Sequence, residues 1–270
     1  MWTCPHCREA LALDTERSLV CNSGHRFDLA REGYVNLLSV NRKRSKEPGD
    51  SAEMIAARGR VHEAGLYQPL AAAMAELIVA SGQEPGSALD LGCGEGYYSL
   101  ALLEAFPEIE LYGVDIAKSA VRLAARRCKA GRFAVASAFD VPLADTSLDL
   151  VQSVFAPVDN SELRRLLRPD GLYLKVVPAP RHLWELRCLL YDEPRPHADQ
   201  LPCPTGFELL GRQTLEYRLT LDRELLRDLV AMTPYAHKGQ REHRRRLEEL
   251  DRLDLQMAFT LEVMRRSSLS

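Results

Sequence analysis

The spacing of apolar and polar positions changes several times along the chain. Between Ser51 and about Ser81, Met54, Ile55, Ala57, Val61, Leu70, Met74, Leu77 and Ile78 recur at three- and four-residue steps, which predicts helix. Gly65 and Pro69 divide this stretch into two helices, and Asp50 or Ser51 can cap the first. Strand and helix then alternate. Strands are predicted at Ser87–Leu91, Leu111–Val114, Arg132–Ala136 and Leu148–Phe155, and helices at Tyr97–Phe106, Lys118–Cys128 and near Ser161–Leu167. Pro169, Asp170 and Gly171 predict a turn before a strand at Leu172–Val177. Such alternation implies an α/β fold, with parallel strands and crossover helices on both faces. A proline-rich loop at 193–206 precedes a strand near Leu215–Leu221 and a helix near Arg223–Met232. Leu255, Met257, Phe259, Leu261 and Val263 keep a period of two and predict a late antiparallel strand.

The first strand runs into Leu89-Asp90-Leu91-Gly92-Cys93-Gly94-Glu95-Gly96. Glycines at a strand-to-helix turn let a ligand approach bare backbone. A dinucleotide site places its third glycine three residues after the second, and Tyr97 stands there instead. Asp90, Gly92, Gly94 and Gly96 follow the D-x-G-x-G-x-G pattern of class I S-adenosylmethionine-dependent methyltransferases. Asp115 ends the second strand, where a carboxylate can accept hydrogen bonds from both ribose hydroxyls. The loop after the third strand begins at Ser137, where similar enzymes border the adenine. A nicotinamide enzyme is the alternative reading of this loop.

A second cluster lies near the N-terminus. Cys4-x2-Cys7-x13-Cys21-x3-His25 offers three thiolates and one imidazole, a full tetrahedral set for zinc. Four protein ligands leave no position for a catalytic water, so one structural Zn2+ per chain is expected. A redox C-x-x-C leaves Cys21 and His25 unexplained.

The 270 residues can build one full core and a small satellite module. Seven cysteines, an odd number, fit a reducing compartment. There is no apolar run of about 18 residues and no signal-like N-terminus, which predicts a cytoplasmic protein with no membrane partner. The net charge of −3 lacks the basic excess of many nucleic-acid binders. Any RNA contact must use local patches such as Arg42, Lys43, Arg44 and Lys46. The run Arg241–Arg246, followed by Glu248 and Glu249, predicts a helix with internal ion pairs.

Together these segments resemble the bacterial 23S rRNA (guanine-N1-)-methyltransferase family of the RlmA/RrmA type. The resemblance rests on the zinc set and on Phe27-Asp28-x-Ala30-x-Glu32-Gly33-Tyr34-Val35-Asn36-Leu37-Leu38. Further support comes from Pro48-Gly49-Asp50-Ser51, Gly65-x-Tyr67, the glycine loop with Tyr97-Tyr98, Pro180-Arg181-His182-Leu183 and Met232-Thr233-Pro234. It implies a Rossmann-like, mostly parallel seven-stranded sheet behind a zinc-binding RNA-recognition module. It implies methyl transfer to N1 of one guanine in a 23S rRNA hairpin, at position 745 by closeness to that branch, with the position-748 branch as the alternative. A small-molecule or protein methyltransferase and a non-catalytic binding module are the competing classes. The family implies cofactor contacts from Tyr67, Glu95, Gly96, Asp115 and His182, and a homodimer whose two zinc modules form an RNA cleft. The stretch Val154–Asn160 keeps Ala156-Pro157 and departs around it. Asp90, Glu95 and His182 are candidate proton acceptors, and no catalytic residue is assigned. The expected organisation is a zinc module at 1–40, a basic loop with linking helices at 41–84 and a methyltransferase domain at 85–270.

Overall fold

The computed structural model describes every residue except 16, 39–48, 199–201, 234, 236–244, 246, 248 and 269–270. The basic patch at Arg42–Lys46 therefore lies outside the described residues, as do Pro234 and most of the Arg241–Arg246 run. Of that run, Arg245 pairs with Glu249 one helical turn on, at 3.1 Å.

The chain opens with three short strands, β1 (Ala12–Thr15), β2 (Ser18–Val20) and β3 (Arg26–Asp28), which form a small antiparallel sheet. A two-residue strand, β4 (Val35–Asn36), follows. Helix α1 (Ala52–Glu63) starts where the Ser51 hydroxyl accepts from the Met54 N–H at 3.2 Å. Helix α2 (Gln68–Ala80) starts with proline in its first turn, so Gly65 and Pro69 separate the two helices as the spacing predicts.

The alternating body comprises β5 (Ser87–Leu91), α3 (Tyr97–Ala105), β6 (Glu110–Asp115), α4 (Lys118–Arg127), β7 (Arg132–Val135), β8 (Leu148–Val154), α5 (Asn160–Leu166) and β9 (Leu167–Pro178). It ends with α6 (Trp184–Leu190), β10 (Phe207–Asp222), α7 (Arg223–Ala231) and β11 (Arg252–Arg266). The main sheet has the order β10-β11-β9-β8-β5-β6-β7-β4. Pairings among β4 to β9 are parallel, and β11 and β10 complete the sheet antiparallel. The seven expected strands are present, and β4 adds an eighth from the segment that follows the metal-type residues. Two residues are too few for a period to show.

Two boundaries moved for physical reasons. The Pro169–Gly171 turn is looped out within β9: Leu167 faces Leu148, Leu172 faces Leu150, and Asp170 takes φ 63°. Strand β10 begins eight residues before Leu215, because a register shift between Leu209 and Gly211 breaks its alternation.

The chain runs from β5 outwards through β6 and β7, then crosses to β8 on the other side of β5. The crevice above β5 is thus the switch point where ligands bind in such sheets. The N-terminal segment is fused to this body. Trp2, Cys4, Leu11, Leu19 and Cys21 share one apolar cluster with Leu89, Leu91, Tyr112, Val114 and Leu143. The Trp2 ring meets Tyr112 edge-on at 5.1 Å, and the Thr3 N–H donates to the Pro142 carbonyl at 2.8 Å. Among the described residues no helix is long and apolar enough to cross a membrane.

This packing makes Trp2 a core residue of the whole molecule. Trp2→Ala is expected to lower unfolding free energy by about 3 kcal/mol, measured by urea denaturation. An unchanged midpoint would mean that the N-terminal segment only rests on the sheet.

Candidate active site and metal centre

The four metal-type residues converge. The His25 Nδ1 lies 3.5 Å from the Cys4 Sγ, 3.6 Å from the Cys7 Sγ and 3.4 Å from the Cys21 Sγ. The Cys7 and Cys21 sulfurs are 3.6 Å apart, and all four donor atoms fall within 4.8 Å of one another. Zinc bond lengths give tetrahedral edges of about 3.6 Å for S···N and about 3.8 Å for S···S. The donor set therefore fits zinc in chemistry and in size. Tight backbone turns bring the ligands together: the Arg8 N–H donates to the Cys4 carbonyl at 2.8 Å and the Gly24 N–H to the Cys21 carbonyl at 2.9 Å. Gly24 takes φ 82°, which favours glycine. Outside the ligands, the Glu9 carboxylate accepts from the Ser23 N–H at 2.9 Å. The site is closed, so its zinc is structural.

The second site is a cavity of about 840 Å³ over the carboxyl ends of the parallel strands. Its floor is the glycine loop between β5 and α3. Gly92, Gly94 and Gly96 have φ of 76°, 54° and 85°, all in the left-handed region. The loop also has almost no clearance. A Cβ on Gly92 would stand 2.6 Å from the Ala156 Cβ, and one on Gly96 would stand 2.8 Å from the Ala124 Cα. Gly94 instead faces the cavity. Its N–H donates to the Asp115 carboxylate at 3.0 Å, and the other Asp115 oxygen accepts from the Ala117 N–H at 2.8 Å. Burial pushes the Asp115 carboxyl up, against these two amides.

Tyr67, Gly92, Gly94, Glu95, Asp115, Ser137 and His182 all line the cavity, as the sequence led us to expect. Asp90 and Gly96 do not line it. Asp90 lies beneath the loop and accepts from the Ser99 hydroxyl at 2.5 Å, tying β5 to α3. Burial raises its carboxyl to about 6, against that hydrogen bond. Gly96 is pressed onto α4. Both residues shape the loop from behind: Asp90 through Ser99, and Gly96 through its close approach to Ala124.

The Glu95 carboxylate accepts from the His62 Nδ1–H at 2.5 Å and lies 3.4 Å from an Arg127 nitrogen. Burial opposes its charge, but His62 and the Arg58 charge hold the carboxyl below its usual range. The His62 ring stacks on Tyr97 with centroids 4.1 Å apart. The His182 Nδ1 accepts from the Ala258 N–H at 3.2 Å, and burial lowers this imidazole to about 3. His182 is therefore neutral, with its proton assigned to Nε2 by that hydrogen bond.

Helix α1 supplies residues that the sequence pattern did not single out as site residues: Met54, Arg58 and His62, with Asp50 just before it. Arg58 and His62 stand one turn apart, and such a polar pair on a helix reads as a solvated face. Their neighbours Ile55, Ala57 and Val61 are buried, and only the apolar character of those three could be read from the sequence. The cavity also holds one unsatisfied group: the buried hydroxyl of Tyr98 has no partner. Bare backbone over Gly94, a carboxylate at the end of β6 and an orphan hydroxyl fit S-adenosylmethionine.

Three outcomes are expected here. Asp115→Ala should weaken S-adenosylmethionine binding on the order of tenfold to a hundredfold in calorimetric titration while the fold survives; unchanged affinity would remove Asp115 from the site. Cys7→Ser should lose the zinc found by elemental analysis, and retention of a full equivalent would exclude Cys7 as a ligand. Asp90 takes up its proton near 6 in the folded chain against 3.8 ordinarily, so the folded state binds that proton more tightly. Stability should then fall as pH rises through that window, and Asp90→Asn should flatten the fall. Thermal melts without methyl donor check this, and identical slopes for both proteins would contradict it.

Comparison with known proteins agrees with this geometry. Residues 2–46 match the family model described as "RlmA, N-terminal", a zinc ribbon, and residues 88–171 match "Methyltransferase domain". A Streptomyces fradiae protein named 23S rRNA (guanine(748)-N(1))-methyltransferase is 38% identical, covering 96% of this chain and 95% of its own. YxjB of Bacillus subtilis, which carries the 23S rRNA guanine-N(1) family name, is 36% identical over 94% of this chain and 93% of its own. The chain therefore belongs to the 23S rRNA (guanine-N1-)-methyltransferase family, S-adenosylmethionine-dependent enzymes with an N-terminal zinc ribbon.

Proposed function

We propose that this protein methylates N1 of one guanine in a hairpin of 23S rRNA. The observation that carries the reading is the cavity wall just beyond β8, at Phe155-Ala156-Pro157, where Ala156 packs on Gly92. Phe155 takes φ 57°, a strained value for a bulky residue, and is 43% exposed at the cavity. Phe139, 55% exposed, lines the same cavity. Two aromatic faces beside a donor pocket suit a base drawn out of its stack.

S-adenosylmethionine, when bound, supplies an electrophilic methyl group on a positively charged sulfur. The chain's own task is then to hold a flat base edge-on to that methyl. Phe155 offers a stacking face. The neutral His182 is poor as a base, since its Nδ1 is already occupied. Its Nε2–H is a donor suited to the guanine O6, where charge builds as the N1 proton departs. The Glu95 carboxylate is held anionic yet engaged by His62, so no residue is assigned to take the proton.

The target position is a finer matter. The branch resemblance favours guanine 745, whereas the Streptomyces fradiae relative carries 748 in its name. The reading also includes a homodimer in the cytoplasm, for which sedimentation at micromolar concentration should give twice the chain mass of 30.3 kDa.

The test is methylation of 23S rRNA from a strain lacking this protein, followed by primer extension, since an N1 methyl blocks base pairing. A single new stop at guanine 745 or 748 is expected. Methylation of another atom, or turnover on small molecules without RNA, would overturn the proposal. Phe155→Ala should raise KM for the RNA about 5- to 100-fold in steady-state kinetics. An unchanged KM would take the base away from Phe155.

A further inference from the structure

The charges around the cavity are unevenly matched to the methyl donor. Asp50, Glu95 and Asp115 line it, together with His62, His182 and His197. Arg58 is the one Lys or Arg among its described lining residues. S-adenosylmethionine brings a positive sulfonium, a positive ammonium and one carboxylate. The acids can answer the two cations and the ribose hydroxyls. The carboxylate needs a cation once it leaves water.

Arg58 stands over the glycine loop. Its Nη1 stands 3.6 Å from the position a Cβ on Gly94 would occupy, so the guanidinium hangs over the bare middle of the loop. Its Nη2 donates to the Asp50 carboxylate, while no hydrogen bond from Nη1 is found among the described residues. The side chain is only 22% exposed. Burial opposes its charge, but Asp50, Glu95 and Asp115 together raise its affinity for the proton. Tyr98 lines the same cavity, and its buried hydroxyl has no partner.

We propose that Arg58 binds the α-carboxylate of S-adenosylmethionine, with Asp50 as the positioning residue that aims its guanidinium over Gly94. One face of the fork is fixed by Asp50, and the other is left for the ligand. The same contact serves the demethylated product, which keeps the carboxylate and loses the sulfonium charge. The assignment rests on use of this donor and not on which atom is methylated.

Calorimetric titration without RNA separates the two questions. Wild type and Arg58→Gln are titrated with S-adenosylhomocysteine, decarboxylated S-adenosylmethionine and 5′-methylthioadenosine. Affinity for S-adenosylhomocysteine should fall about 30-fold or more, the range of a lost charge-assisted bond. The two ligands without a carboxylate should bind both proteins alike within about twofold. Arg58→Lys, which keeps the charge and loses the fork, should lie between. An equal loss for all three ligands would make Arg58 a structural residue, and no loss for S-adenosylhomocysteine would place its carboxylate elsewhere. Should Arg58→Gln not fold, Arg58→Lys must still weaken S-adenosylhomocysteine selectively, and failure to do so overturns the assignment.

Discussion

The bend between β5 and α3 is the constraint on which the site depends. Three alternate left-handed glycines turn a buried strand into a helix within five residues. Ala156 closes on one of them and Ala124 on another at distances that forbid a side chain. The middle one is left facing a cavity, with its amide held by Asp115. Asp90 ties the bend down from beneath through Ser99. The binding surface is thus backbone, kept rigid by packing on both flanks, and its position follows from the switch of strand order about β5.

Much of this was legible in the sequence because it is local. The turn from Leu91 into Gly92 and the four metal ligands are local motifs, β5 is a continuous buried run, and α4 obeys its period closely. The details that escaped have long-range causes. Arg58 and His62 enter the site because α1 lies against the glycine loop, and helical spacing cannot reveal what a polar face meets. Asp90 and Gly96 belong to the motif, but only packing tells that one lies beneath the bend and the other against α4. β4 is too short for any pattern, and the bulges in β9 and β10 interrupt theirs.

The zinc ribbon and the methyltransferase body share more than a linker. Trp2 and the ligands Cys4 and Cys21 belong to an apolar cluster that includes the inner strands β5 and β6. The same N-terminal segment holds the Pro142 carbonyl, five residues beyond Ser137 at the cavity wall. Arg8 pairs with Asp140 in the intervening loop. The N-terminal segment thus contacts the loop that leads to the rim of the donor cavity.

Hydrogen–deuterium exchange with and without S-adenosylhomocysteine tests the central claim most directly. The account predicts new protection at Gly92–Tyr98 and at Asp115–Ala117, with α5 and α6 unchanged. Protection elsewhere, with the glycine bend exchanging as before, would contradict it.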